Sequence, residues 1–297
     1  MPNHALALAI GCWGAHAQRF ARLHASATLS GVFARCLHLY APDGVLCIGA
    51  EAIGAGPLNA TLDLEGWQRA RHRLPMPGDR ARLGAGRIAI GGVLFATEGA
   101  RAWRPPCWPQ SIAPAAAAAG LRRLTERVRR HAPADGLARL AFGVATGPPT
   151  PLHRLAQPRI NRLTAWTRAR LGAGARTPAP ADLLGLGPGL TPSGDDLLCG
   201  TLLALNALAR ADAAGDLYAA LRRAPACATS VLSWALLAAA AEGEGGAPLH
   251  ALIIAVLEDH AFEDALAAVA GHGATSGWDT LAGAAIAVSA AYAPAAP

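Results

Sequence analysis

The sequence predicts an α+β protein in which a β-rich N-terminal region is followed by an all-helical C-terminal region. Short apolar runs separated by turn residues fill the first third of the chain. After Ser111, apolar residues recur at helical spacing instead. Strands first and helices later favour an α+β architecture over a doubly wound sheet. We place a β-rich domain at 1–110 and a helical domain at 111–297, with the proline-rich residues 105–109 as a linker.

The N-terminal region has the pattern of short strands joined by tight turns. We predict strands within the apolar runs 31–40, 45–48 and 87–96. Turn residues rich in glycine, proline and aspartate punctuate this region at 42–44, 54–57, 77–79 and 91–92. This succession predicts a meander or a small barrel-like sheet.

The C-terminal region has the apolar periodicity of a helical domain. The predicted helices span 115–131, 152–171, 197–210, 213–223, 229–242, 250–257, 262–270 and 278–292.

Composition excludes several classes of enzyme. All basic side chains other than histidine are arginine, because the chain contains no lysine. A Walker-type phosphate loop and a Schiff-base enzyme both require a lysine, so neither is present in its usual form. With 53% hydrophobic residues the chain is able to bury a substantial core.

The net charge of +6 would suit an anionic partner. The densest arginine cluster lies at 122–130 and is interpreted as a solvated helix face. Aromatic residues are only 5% and no recognition motif appears, which argues against nucleic acid binding. The N-terminus lacks the basic segment of a signal peptide, and the apolar stretch 226–241 is too short to cross a bilayer. We therefore expect a cytoplasmic protein that does not enter a membrane.

The six cysteines are interpreted as free thiols in a reducing compartment. They are Cys12, Cys36, Cys47, Cys107, Cys199 and Cys227. None forms a C-x-x-C pair, and their spacing does not indicate a zinc site.

A glycine-rich segment at 185–196 is the strongest functional signal. Glycines permit positive φ and a close approach of the backbone to a ligand. Ser193 is predicted to cap the following helix, with Asp196 as the reciprocal acid of a capping box. Free N–H groups at a helix start favour an anion, so we predict a small-anion site formed by Gly187, Gly189 and Gly194.

Asp195 and Asp196 complicate a simple anion site, because two carboxylates would repel a bare phosphate. They fit better if Mg²⁺ bridges them to the ligand, or if one accepts hydrogen bonds from a neutral amide. No cofactor is required by the sequence, and Mg²⁺ is the candidate ion. The alternative is that both acids only cap the helix.

Residues 274–283 repeat the pattern of residues 191–200. The shared positions include a serine, a glycine and an acid, which are Ser276, Gly277 and Asp279 in the second copy. In each copy the acid and a later glycine are four residues apart and share one helix face. We hypothesise that the two helices pack with adjacent N-termini, so that Ser193, Asp196, Ser276 and Asp279 converge on one ligand. The alternative is two unrelated capping boxes.

The glycine-rich segment resembles the hallmark of the bacterial AllH-like family, long described as a domain of unknown function. Segments 32–35, 229–230 with 242–243, and 275–279 resemble other family motifs in the same order. The chain departs from the expected histidine and serine near Ser30 and Gly31. The resemblance implies a subunit of oxamate carbamoyltransferase, which interconverts oxalurate plus phosphate with oxamate plus carbamoyl phosphate in allantoin breakdown. It also implies partner subunits of FdrA-like and AllG-like type.

Within that activity, Asp195, Asp196, His272 and Asp279 are the candidate catalytic residues. Thr191 joins the glycines and serines as a candidate ligand-binding residue. An arginine would pair with the oxamate carboxylate in bidentate fashion; the candidates are Arg35, Arg159 and Arg162, of which we favour Arg35. His272 is the candidate acid or base near neutral pH.

Two other functions remain open at this point. One is a non-catalytic subunit that binds a metabolite or scaffolds its partners. The other is a metal-dependent phosphate-handling enzyme that works alone.

Overall fold

The computed structural model describes residues 5–172 and 177–292. The chain divides into two compact units between Pro105 and Pro106. The first unit is built on a β-sheet and the second on helices, which confirms the predicted order of a β-rich region followed by a helical one.

The N-terminal unit contains ten strands in one sheet. The strands are β1 (Leu6–Ala9), β2 (Cys12–Trp13), β3 (Ser26–Val32), β4 (Cys36–Ala41), β5 (Gly44–Ala50), β6 (Asn59–Leu62), β7 (Arg80–Gly84), β8 (Arg87–Ile90), β9 (Val93–Ala96) and β10 (Arg101–Ala102). Their order is β1-β9-β8-β7-β3-β4-β5-β6-β2-β10. Neighbours are antiparallel except for the parallel pairs β1–β9, β5–β6 and β2–β10.

The sheet curls until its two ends meet. Strands β1 and β2 lie near opposite ends of the order, yet only Ile10 and Gly11 separate them in the chain. The Ile10 N–H donates to Ala96 after β9, whereas the Gly11 N–H donates to Thr61 in β6. Because consecutive Cα atoms are about 3.8 Å apart, the two edges are close together at this point. The barrel-like sheet predicted from the turn pattern is therefore confirmed.

Two features of this unit differ from the prediction. Helices α1 (Ala15–Leu23) and α2 (Leu64–Arg71) lie among the strands, whereas the sequence predicted only strands and turns. Both are too short for helical periodicity to stand out from a strand pattern. The run 31–40 is also not a single strand, because a turn at residues 33–35 separates β3 from β4 and closes with a hydrogen bond from the Phe33 N–H to the Cys36 carbonyl (2.7 Å).

The C-terminal unit contains helices and no strand among its described residues. The helices are α3 (Pro114–His131), α4 (Ala138–Ala141), α5 (Pro151–Leu171), α6 (Ser193–Ala207), α7 (Ala211–Leu221), α8 (Val231–Ala241), α9 (Ala247–Leu257), α10 (Glu263–Ala270) and α11 (Ser276–Tyr292). All eight predicted helices are present with ends within four residues of the predicted bounds, and only the short α4 was not predicted.

Helix α6 is the centre of this unit. Every residue of α6 except Asn206 is buried, so the helix is enclosed on all sides rather than amphipathic. Helix α11 packs along it, and both contribute to the main apolar core. In the part of the chain that the structure describes, no helix has both the length and the apolar character needed to cross a bilayer.

Candidate functional site

The glycine-rich loop adopts the left-handed backbone conformations that its sequence predicts. Gly185, Gly187 and Gly189 have φ values of 71°, 120° and 98°. Side chains other than glycine are strained in this region. Within the described residues, the N–H groups of Gly187 and Gly189 have no hydrogen-bond partner. Gly189 is exposed and Gly187 is half-buried.

The start of α6 differs from the predicted capping box. The residue before the helix is Pro192, and Ser193 is the first helical residue, without a side-chain bond to the backbone of the first turn. The predicted cap at Ser193 is therefore wrong. The Gly194 N–H donates to the Leu186 carbonyl (2.8 Å), which removes it from the predicted set of anion donors. A Cβ at Gly194 would lie 2.0 Å from the Leu183 carbonyl oxygen, so this glycine serves close packing.

Asp195 holds the loop against its neighbours. Its Oδ1 accepts the Gly185 N–H at 2.7 Å, and its Oδ2 accepts the Thr229 hydroxyl. Burial raises the pKa of Asp195, and the hydrogen bonds from Thr229 and Gly185 act against that rise. Each oxygen of Asp195 therefore has one protein donor, and a Mg²⁺ bridge between Asp195 and Asp196 stays a prediction.

The second copy of the motif lies directly beside the first. Helix α11 begins at Ser276, and the Ser276 and Thr191 hydroxyls are hydrogen-bonded at 2.8 Å. The hypothesis that the two helices pack with adjacent N-termini is confirmed. Gly277, like Gly194, is a packing glycine. Its N–H donates to the His272 carbonyl, and a Cβ there would lie 1.9 Å from the Val269 carbonyl oxygen.

The two helices touch at equivalent positions on each side. A Cβ at Gly200 would lie 1.7 Å from the Thr280 carbonyl oxygen, and a Cβ at Gly283 would lie 1.8 Å from the Leu197 carbonyl oxygen. Gly200 thus contacts the backbone three residues before Gly283, and Gly283 contacts the backbone three residues before Gly200. This reciprocal contact gives the pair an approximate two-fold relation. It also explains why both copies of the motif keep a glycine four residues after the acid.

The acids of the two copies are each placed near the serine of the other copy. Burial raises the pKa of Asp196 well above its usual range, while the Ser276 hydroxyl lowers it and the charge of Asp279 raises it. Burial also raises the pKa of Asp279, and there the Ser193 hydroxyl acts to lower it. The predicted convergence of Ser193, Asp196, Ser276 and Asp279 is therefore present.

Asp279 has a structural task that the sequence did not indicate. Its Oδ1 accepts the N–H groups of Leu137 and Ala138 at 2.6 and 3.0 Å, which fixes the start of α4. These donors were missed because they lie 142 and 141 residues away in the chain. No local motif could have identified them.

Asp196 and Asp279 each keep one carboxylate oxygen unpaired. Their Oδ2 atoms are both buried without a hydrogen-bond partner among the described residues. Such an orphaned buried oxygen is costly and calls for an explanation, of which an unbound ligand is one. Thr191 and Ser276, which are half-buried, place their hydroxyls near Asp196 and lower its pKa. A small apolar cavity elsewhere in the unit, lined by residues of α3, α9 and α11, contains none of these residues.

The remaining predicted residues lie on other segments of the chain. His272 lies in the turn before α11, exposed, with Nδ1 3.0 Å from the Ala268 carbonyl oxygen. Arg35 is an exposed residue of the N-terminal unit, in the turn between β3 and β4. Arg159 and Arg162 both pair with Asp182 on the protein surface.

Comparison with known families singles out the same segment. Residues 183–288 match the model of the AllH family, described as oxamate carbamoyltransferase subunit AllH. This stretch is therefore AllH-like, and it contains the glycine-rich loop, α6 and most of α11. No curated protein and no solved structure gives a significant match to the chain.

Proposed function

We propose that this chain, AllH-like over residues 183–288, is a subunit of a carbamoyltransferase of the oxamate and oxalurate type. The paired N-termini of α6 and α11 would form its substrate site. The observation that carries this proposal is the buried Asp196 carboxyl, whose Oδ2 has no partner although two hydroxyls and a second buried acid surround it.

The donors and acceptors around Asp196 suit the substrates of such an enzyme. Oxalurate, oxamate and carbamoyl phosphate each combine an amide N–H with an anionic group. Asp196 Oδ2 would accept the amide N–H, and the free N–H groups of Gly187 and Gly189 would donate to the carboxylate or phosphate. The two helix dipoles, whose positive ends meet here, add a favourable field for the anion.

The raised pKa of Asp196 reduces the conflict between a buried acid and an anionic substrate. A carboxyl that is more easily protonated repels an anion less, and its neutral form donates a hydrogen bond to a carbonyl oxygen. Asp195 and Asp279, whose oxygens hold the loop and the start of α4, would act as positioning residues. The role of His272 as acid or base stays a prediction.

The reaction requires the two substrates to be held in the correct orientation more than it requires covalent catalysis. A phosphate oxygen attacks the carbamoyl carbon of oxalurate, so that a C–O bond forms and the C–N bond to oxamate breaks. The proton lost by the phosphate is taken up by the departing oxamate nitrogen, which balances the step. Polarisation of the carbamoyl carbonyl by the Thr191 or Ser276 hydroxyl would stabilise the charge that develops on its oxygen.

The proposal includes an assembly with FdrA-like and AllG-like subunits in the cytoplasm. The test is carbamoyl transfer by the reconstituted complex with wild-type chain or with Asp196→Asn. We expect Asp196→Asn to lower the rate by about 100-fold, the size of the effect of misplacing a reacting group, while the complex still assembles. The matched control is Asp264→Asn, an exposed acid in the first turn of α10, which should leave the rate unchanged.

Two results would contradict the proposal in different ways. Full activity of the Asp196→Asn complex would remove Asp196 from the site while leaving the enzyme class intact. A wild-type complex that shows no turnover with oxamate plus carbamoyl phosphate, in either the presence or absence of Mg²⁺, would reject the enzyme class itself.

A second candidate is a non-catalytic subunit that binds a metabolite or scaffolds its partners. It is favoured by two exposed apolar side chains beside the loop, Leu190 and Val231, which are 50% and 36% exposed. They are held together by a hydrogen bond from the Ser230 hydroxyl to the Leu190 carbonyl (2.6 Å). Loss of assembly in Asp196→Asn, rather than loss of turnover in an intact complex, would support this candidate.

A further inference from the structure

Strands β4 and β5 of the N-terminal unit bring two thiols and an imidazole together. His38 on β4 lies directly opposite Cys47 on β5, and Cys36 precedes His38 by two residues on the same strand face. The alternating burial of β4 places Leu37 and Leu39 in the core and leaves Cys36 and His38 on the other, half-buried face. Strand register, rather than sequence spacing, therefore creates this cluster.

The distances within the cluster are those of ligands around one metal ion. The Cys36 Sγ is 3.7 Å from the His38 Nε2, and one ligand atom from each of Cys36, His38 and Cys47 lies within 4.8 Å of the other two. In a tetrahedral zinc site with Zn–S of about 2.3 Å and Zn–N of about 2.0 Å, neighbouring ligand atoms are roughly 3.5–3.8 Å apart. The side chains thus need only small movements to close on an ion.

The surroundings of the cluster hold these side chains in place and favour a thiolate. The rings of Phe33 and Tyr40 lie beside the His38 ring, with centroids 4.8 and 6.3 Å away. The pKa of Cys36 is lowered to about 5, mainly by the hydrogen bond with Cys47 and also by His38 and the charge of Arg35, while burial acts in the opposite direction. The thiolate is the form of cysteine that binds metals.

We propose that Cys36, His38 and Cys47 bind one thiophilic metal ion of the zinc class. Two sulfur ligands and one imidazole nitrogen form a donor set that selects such ions over Mg²⁺ or Ca²⁺. Three protein ligands leave the fourth tetrahedral position open for water or a small anion, as in catalytic rather than structural zinc sites. The sequence had indicated no zinc site, because a pair of ligands on neighbouring strands has no characteristic spacing. This proposal is independent of the carbamoyltransferase proposal.

The first experiment is a titration of the reduced, chelator-stripped full chain with Co²⁺ in the absence of oxygen. We expect one equivalent to bind, with a thiolate-to-cobalt charge-transfer band and the visible bands of tetrahedral Co²⁺, and Zn²⁺ should displace it. Cys36→Ser and His38→Gln should each weaken binding by more than about 100-fold, since even changes outside the ligand shell cost about 10–100-fold. Circular dichroism establishes that each variant folds.

The matched control is Cys12→Ser, which removes another thiol of the same unit and should still bind one equivalent. A second measurement uses alkylation of thiols. Zn²⁺ should protect Cys36 while the exposed Cys107 continues to react at its original rate. Binding only at millimolar Co²⁺, an absent charge-transfer band, or equal affinity in Cys36→Ser and wild type would each overturn the proposal. A further contradicting result would be that Cys36 and Cys47 form a disulfide in air while the reduced chain binds no Co²⁺.

Discussion

The glycine contact between α6 and α11 leads to a sharp prediction about Gly200→Ala. The new Cβ would lie 1.7 Å from the Thr280 carbonyl oxygen, whereas real Cβ contacts are not closer than 3.0 Å. The helices would therefore have to separate by more than about 1 Å. Both atoms are bound to rigid helix backbone, so no side chain can rotate away. Overpacking of this kind costs about 3 kcal/mol or more, at the upper end of the usual range.

Replacing glycine in a helix interior also has a favourable part. Alanine has a higher helix propensity by about 1 kcal/mol. The expected net loss of stability for Gly200→Ala is therefore about 2 kcal/mol or more. The matched control is Gly215→Ala in α7, where no atom lies within 4 Å of the new Cβ, and there we expect a gain of up to about 1 kcal/mol.

The assay is urea unfolding of the full chain followed by far-ultraviolet circular dichroism, which mainly reports the helical unit. Gly283→Ala should behave like Gly200→Ala because its contact with Leu197 is equivalent. The double variant should cost less than the two single losses combined, since helices that are already apart do not clash again. If Gly200→Ala is as stable as Gly215→Ala, the reciprocal contact does not exist as described.

Two further predictions concern pH. Burial raises the folded-state pKa of Asp196, so its contribution to stability is greatest below about pH 4, the pKa of an unfolded aspartate, and is lost as pH rises through the folded value. Asp196→Asn should therefore unfold at a higher urea concentration than wild type at pH 7, and the difference between the two should be smaller at pH 4. Equal differences at both pH values would contradict this prediction. Burial lowers the pKa of His250 to about 4, and its Nε2 accepts the Gly245 N–H. The stability it contributes is complete above about pH 6.5 and declines by about 3 kcal/mol as pH falls through 4. His250→Gln should remove this decline in stability at acid pH. If the substitution leaves the pH profile of urea unfolding unchanged, the prediction is wrong.

Helix positions in the C-terminal unit were predictable because their signals are local. The glycines of the loop, the prolines before helices, and the apolar spacing of α3 to α11 all act within a few residues. The short α1 and α2 were missed for the same reason, since eight or nine residues give too little periodicity. The close approach of α6 and α11 was also predictable, because small residues at matching positions of two helices allow their backbones to meet.

The hydrogen-bond partners of the candidate site were not predictable in the same way. Ser193 has the sequence of a cap, but Pro192 takes the capping position and the Ser193 hydroxyl lies near Asp279 on another helix. The sequence predicted a free N–H at Gly194, but the chain folds back so that the Leu186 carbonyl accepts it. The donors to Asp195 were not predictable either, because Gly185 and Thr229 lie 10 and 34 residues away in the chain.

The sequence alone predicted the order of strands and helices, the left-handed glycines between residues 185 and 189, and the packing of two similar helix N-termini against each other. Only the tertiary structure decided which acids keep an unpaired oxygen and which thiols lie beside an imidazole. Local conformation depends on neighbours a few residues away. In contrast, helix packing brings Asp279 to the Leu137 N–H, and strand register places His38 opposite Cys47. Those contacts follow from how the whole chain folds, and no short stretch of sequence contains them.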